Sequence, residues 1–122
     1  MIVISGSAAA NTADQINYAT AHGFGGIALR TDDLVDPSTA EDERKRVINE
    51  ALAHVTAGRH PLLYATLGPD DPIVEKTVDR IRKLGIDQSD TGRIIATQQG
   101  LILRALLEET GIGRVCVAGG DT

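Results

Sequence analysis

Ile2-Val3-Ile4-Ser5-Gly6-Ser7 opens the chain with three aliphatic residues that halt at a glycine flanked by hydroxyls. A short unbroken apolar run of this kind reads as a buried strand, and the Ser-Gly-Ser behind it as a tight loop. The same pattern returns at the other end, where Arg114-Val115-Cys116-Val117-Ala118 runs directly into Gly119-Gly120-Asp121-Thr122. Two strands that each end in a glycine loop frame the molecule, and the residues between them determine how those strands pair.

Helical and extended signals alternate across that interval. Asn11 or Thr12 can cap a first helix that carries Ala13, Ile16 and Ala19 at helical spacing, and Gly23 can supply its left-handed end. Residues 26–29 make a second aliphatic strand. Ser38-Thr39-Ala40-Glu41 is a capping box, and behind it Val47, Ile48, Ala51, Leu52 and Val55 form one apolar stripe that Gly58 ends. His60-Pro61 breaks the chain before a third strand at 62–66. Pro72 after Asp71 opens a further helix, with Val74, Val78, Ile81 and Leu84 inward and Gly85 at its end. Residues 91–110 form the last helix, on which Ile94, Ile95, Gln98, Leu101, Ile102, Ala105 and Leu106 trace a face; its Gly100 is a weak point or a place of close packing, and Gly111 follows. This alternation predicts an α/β domain of three layers, a parallel sheet with helices on both faces.

The composition agrees with that class. At 122 residues the chain is the size of one domain, and its 42% hydrophobic content is aliphatic, with Tyr18, Tyr64 and Phe24 as the aromatics. A net charge of −5 argues against nucleic acid or an anionic membrane as partner. Cys116 is the single cysteine, so no internal disulfide forms; Val115 and Val117 beside it predict a small, buried, unreactive residue. Met1 is followed by no secretory segment, and no apolar run approaches the roughly 20 residues that span a bilayer, so the expected compartment is the cytoplasm. His22, His54 and His60 are too separated to suggest zinc, and no metal site is expected.

In an open parallel sheet ligands bind outside the carboxyl ends of the strands, where backbone N–H groups and helix N-termini converge. Both glycine loops occupy that position. Gly6 lets the backbone approach an anion and Ser5 and Ser7 add hydroxyl donors, or the segment is an ordinary turn into a helix. Gly119 and Gly120 can present successive N–H groups to phosphate, with Asp121 for a metal, a ribose or a nucleophile and Thr122 as a further donor; the alternative is a flexible end. Neither the P-loop pattern nor the three-glycine dinucleotide fingerprint is present. Gly119-Gly120-Asp121 is not the diguanylate cyclase signature, because it follows a buried strand. Asp32-Asp33 is read as a solvated acidic loop before a cation or ribose site. Thr66 is a possible ligand neighbour on the same edge, and Tyr64 a packing residue.

Val3-Ile4-Ser5-Gly6-Ser7, then Asn11-Thr12-Ala13-Asp14-Gln15-Ile16, then Leu63-Tyr64-Ala65-Thr66, then Val117-Ala118-Gly119-Gly120-Asp121-Thr122 together resemble the C-terminal nucleotide-binding domain of the four-carbon acid sugar kinases. That family opens Ser-Gly-Ser-Cys-Ser-Pro-x-Thr and closes Gly-Gly-Asp/Glu-Thr, so Thr12 and both loops match while Ala8, Ala9 and Ala10 depart. The resemblance implies ATP, with Mg2+, held at Ser5, Gly6, Ser7, Gly119, Gly120, Asp121 and Thr122. It implies phosphorylation of a tetronate such as threonate or erythronate at the 4-hydroxyl. It further implies an N-terminal sugar-acid domain that residues 1–122 do not contain, so the chain is expected to be a fragment of a two-domain kinase, without turnover by itself. Catalytic residues are not identified. The alternative is a stand-alone module that binds nucleotide or another phosphorylated metabolite without turnover.

Overall fold

The structure, a computed structural model, describes residues 1–6 and 9–119. In chain order these form β1 (Ile2–Ser5), α1 (Thr12–Thr20), β2 (Phe24–Ala28), α2 (Thr31–Leu34), α3 (Ala40–Thr56), β3 (His60–Tyr64) and α4 (Pro72–Leu84). A 3-10 turn at Gln88–Asp90, α5 (Thr91–Thr110) and β4 (Val115–Ala118) complete them. The strands pair in the order β2-β3-β1-β4, every pair parallel.

Register and side-chain alternation divide the sheet into two faces. Ile4 and Ile27 both lie opposite Leu63, so all three share one face. With Ile2 they pack against Val47 and Ala51 of α3 and Ile102 and Leu106 of α5 in one buried cluster. Each buried Ile or Leu contributes about 1.5–3 kcal/mol. Gly25 and Gly26 show what covers the two faces. A β-carbon on Gly25 would run into the imidazole of His54 in α3, and one on Gly26 would lie 3.0 Å from Cγ2 of Thr20 in α1. Adjacent residues point to opposite faces, so α3 and α1 lie on opposite sides of the sheet. The three-layer α/β arrangement follows.

The local stop and start signals hold best in the second half. Asp71 caps α4 by accepting from the Ile73 N–H, Pro72 sits in the first turn, and Gly85 ends the helix at φ 70°. Gly111 ends α5 at φ 67°.

Other expectations are corrected. The capping box at Ser38 does not form: α3 begins at Ala40 after Thr39, which makes no side-chain cap bond. Asp36 instead accepts from the backbone N–H and hydroxyl of Ser38, at 2.9 and 2.7 Å. β2 and β3 start two residues earlier than their apolar content suggests. Pro61 is tolerated inside β3 because the ladder to β1 begins only at Val3–Leu62, so its missing N–H leaves no bond unmade there. Gly100 is not a close-packing site, since a β-carbon there would meet nothing within 4 Å. Cys116 is exposed rather than buried. Among the described residues β4 is an edge strand bonded to β1 alone, and all four of its residues are exposed despite their apolar character. Also among the described residues, no helix is long and apolar enough to cross a membrane.

Candidate functional site

Because the sheet is parallel, every strand delivers its carboxyl end to the same edge. The residues that follow the strands line a cavity of about 230 Å³ there: Gly6 after β1, Thr31 after β2, Ala65 and Thr66 after β3, Gly119 after β4. Its walls are two helix faces. α4 contributes Ile73, Val74, Thr77 and Val78, and α5 contributes Thr91, Gly92, Ile95, Ala96 and Gln99. Both sets follow the i, i+1, i+4, i+5 rhythm of one helical face.

The polar groups of the rim are mostly engaged in holding the walls. Thr31 and Thr77 share a buried hydroxyl–hydroxyl bond of 2.7 Å that ties α2 to α4, and the Thr77 hydroxyl donates to the Ile73 carbonyl. Thr66 shapes the loop after β3, its hydroxyl donating to the Gly68 carbonyl and accepting from the Gly68 N–H. Asp71 fixes the far end of that loop by accepting from the Leu67 N–H at 2.9 Å. Burial, and then the negative charge of Asp71, push the Tyr64 hydroxyl above its ordinary pKa. Two polar atoms break the pattern. Thr91 Oγ1 and Gln99 Nε2 are buried and have no hydrogen-bond partner among the described residues.

Gly6 and Gly119, from opposite ends of the chain, come together. The Gly6 N–H donates to the Ala118 carbonyl at 2.7 Å, and a β-carbon on Gly119 would lie 3.5–3.6 Å from the Gly6 backbone. Ser5 is buried beside them, its carbonyl accepting from the Ala65 N–H. The Gly6 N–H is thereby committed to the sheet. Ser7, Gly120, Asp121 and Thr122 lie outside the described residues.

Asp32 and Asp33 are not a solvated loop. Arg80 of α4 reaches Asp36 at 2.7 Å, Asp33 at 3.1 Å and Asp32 at 4.0 Å. Bonds from Ser38 and from Arg80 hold the Asp36 carboxyl below the usual range, and Asp36 and Asp33 raise the Arg80 guanidinium. The acidic run is therefore a brace between α2 and α4. The histidines stay apart: His22 stacks on Tyr18, His54 accepts from Arg59, and His60 meets the amino terminus. Among the described residues no group of three or more His, Cys, Asp or Glu side chains is placed to hold a metal ion.

Sequence reasoning missed most of the cavity wall. On the last helix it chose Gln98, which bonds Arg44, whereas the buried glutamine is Gln99. The available signal was spacing, since Gln99 stands three residues before Ile102 and seven before Leu106, both fully buried. A polar residue in line with a buried stripe is the mark of a group meant to meet something.

Comparison with known proteins extends these observations. A family model described as the nucleotide-binding C-terminal domain matches residues 2–122. The 3-oxo-isoapionate kinase of Paraburkholderia graminis is 33% identical over 119 residues, which is 98% of this chain and 25% of that protein. The chain thus spans a quarter of the length of this curated relative. No solved structure matches.

Proposed function

Since the chain belongs to the family of nucleotide-binding C-terminal domains, we propose that it holds ATP for a kinase that phosphorylates a sugar acid. The observation that carries this reading is the meeting of Gly6 and Gly119 at one end of a cavity whose remaining walls are largely aliphatic. A ligand with an anionic end and a flat, weakly polar end suits such a site. The phosphate chain would lie at Ser5, Gly6, Ser7 and Gly119, Gly120, Asp121, Thr122, and the base between α4 and α5.

Phosphoryl transfer is largely positioning and charge stabilisation, so one domain can hold the nucleotide while another presents the hydroxyl. On this reading residues 1–122 are the nucleotide domain of a two-domain kinase, and the sugar-acid site belongs to the remaining length that the relative has. The acceptor would be a tetronate at its 4-hydroxyl from the sequence resemblance, or 3-oxo-isoapionate from the relative's name. Magnesium would travel with the nucleotide, since it usually takes one or two carboxylates together with substrate phosphates and keeps several waters. Asp121 is the carboxylate of the closing loop.

The test is calorimetric titration of ADP into the parent, Gly119→Ala and Gly119→Val. A β-carbon at Gly119 makes only ordinary contact with Gly6, so the alanine variant should bind like the parent, within about threefold. Valine's branches press into the Gly6 backbone and should weaken binding at least tenfold. Equal ADP affinity in a folded Gly119→Val protein refutes the glycine junction as the phosphate end.

A further inference from the structure

Resting on the nucleotide reading above, we infer that Gln99 is a ligand-contacting residue of the cavity, its Nε2 amide donating to an oxygen of the nucleotide's phosphate chain. Gln99 is 8% exposed, lines the cavity, and has an Nε2 without a hydrogen-bond partner among the described residues. Buried polar atoms are almost always paired, so an orphan on a side chain that lines a cavity calls for a partner, and a ligand in the cavity can supply it.

Position identifies which end of the ligand it meets. A β-carbon placed on Gly6 would have Gln99 Oε1 as its nearest neighbour, at 4.0 Å. Gln99 therefore stands at the glycine junction. Thr91, the other orphan, stands eight residues earlier on α5, about 12 Å away at 1.5 Å rise per residue, with Ile95 and Ala96 between them. The cavity is thus polar at both ends of the α5 face and aliphatic in the middle, as a nucleotide is polar at its phosphates and at its base edge.

The chemistry at the junction is specific. The Gly6 N–H is already given to the Ala118 carbonyl; the Gln99 amide, whose Oε1 is the atom near Gly6 and whose Nε2 is the group without a partner among the described residues, brings the next donor to that end of the cavity. An amide binds an anion by hydrogen bonding without bringing a charge into an aliphatic pocket, where an unpaired ammonium would be costly in the ligand-free state.

The experiment compares ADP with adenosine, which lacks the phosphates, on the parent, Gln99→Met and Gln99→Glu. Calorimetry should give ADP affinities weakened about tenfold by Gln99→Met and a hundredfold or more by Gln99→Glu, whose carboxylate repels phosphate, with adenosine affinity unchanged within twofold. In the parent, the side-chain amide resonances of Gln99 should shift on adding ADP and stay still on adding adenosine, a readout that needs no variant to fold. Equal losses for the two ligands, or resonances that respond equally to both, place the contact on the nucleoside and overturn the phosphate assignment. Undiminished ADP affinity in Gln99→Glu overturns the contact itself. A parent that binds neither ligand overturns the nucleotide reading along with this inference, and does so before any substitution is made.

Discussion

Thr77→Val should destabilise the protein by about 2 kcal/mol, and adding Thr31→Val should restore most of the loss. The direction of the two hydroxyl protons decides this. The Thr77 hydroxyl donates to the Ile73 carbonyl at 2.7 Å, so its one proton is used and the 2.7 Å bond to Thr31 must be donated by Thr31. Both residues are buried, at 4% and 5% exposure. Valine at 77 therefore strands a buried O–H donor on Thr31, at a cost of about 1–3 kcal/mol. Valine at 31 removes only one accepted bond from Thr77, which keeps its carbonyl partner, and should cost about 1 kcal/mol or less. When both are valine no polar atom is stranded and the shapes are conserved, so the double variant should lie within about 1 kcal/mol of the parent. Urea denaturation of the four proteins measures the cycle, and the melting temperature should follow at roughly 4 °C per kcal/mol for a chain of this length. A double variant less stable than Thr77→Val, or a Thr31→Val penalty larger than that of Thr77→Val, refutes the assigned proton directions and the brace between α2 and α4 that depends on them.

Cys116 should react in the native protein with a water-soluble thiol reagent about as fast as in the urea-unfolded chain, because it is exposed on the edge strand β4; protection by a hundredfold or more would contradict that placement. Gly25→Leu should destabilise by at least about 2 kcal/mol, since the His54 ring of α3 occupies the space its β-carbon would need; an unchanged urea midpoint would show that α3 does not press on β2 there. Asp36 has a carboxyl held below its ordinary value of 3.8, first by the Ser38 hydroxyl and then by the Ser38 N–H and Arg80. A depressed folded pKa gives stability that is present above the unfolded value and lost as pH falls through the folded one. Asp36→Asn should accordingly flatten the decline of melting temperature below about pH 3.8 while leaving Asp87, similarly lowered by Ser89, to titrate as before; an unaltered acid limb counts against the Asp36 brace.

The sequence by itself determined the α/β class and the ends of the second-half helices, because those signals are local. Asp71 with Pro72 starts α4 and Gly85 ends it through backbone geometry that a few neighbouring residues settle, and the same holds for Gly111 after α5. It also brought Gly6 and Gly119 to the carboxyl edge of the sheet, since strand direction in a βα alternation dictates that edge. Tertiary structure decided everything that depends on strand order and on which helices meet. Cys116 has the composition of a buried strand, yet among the described residues β4 falls at the edge of β2-β3-β1-β4 and is exposed. Asp32 and Asp33 read as solvent-facing until α4 brings Arg80 across to them. The buried orphan amide belongs to Gln99 and not to Gln98, one residue and about 100° of helix away, because only the placement of α5 against α3 and the sheet fixes which flank of that helix turns into the cavity.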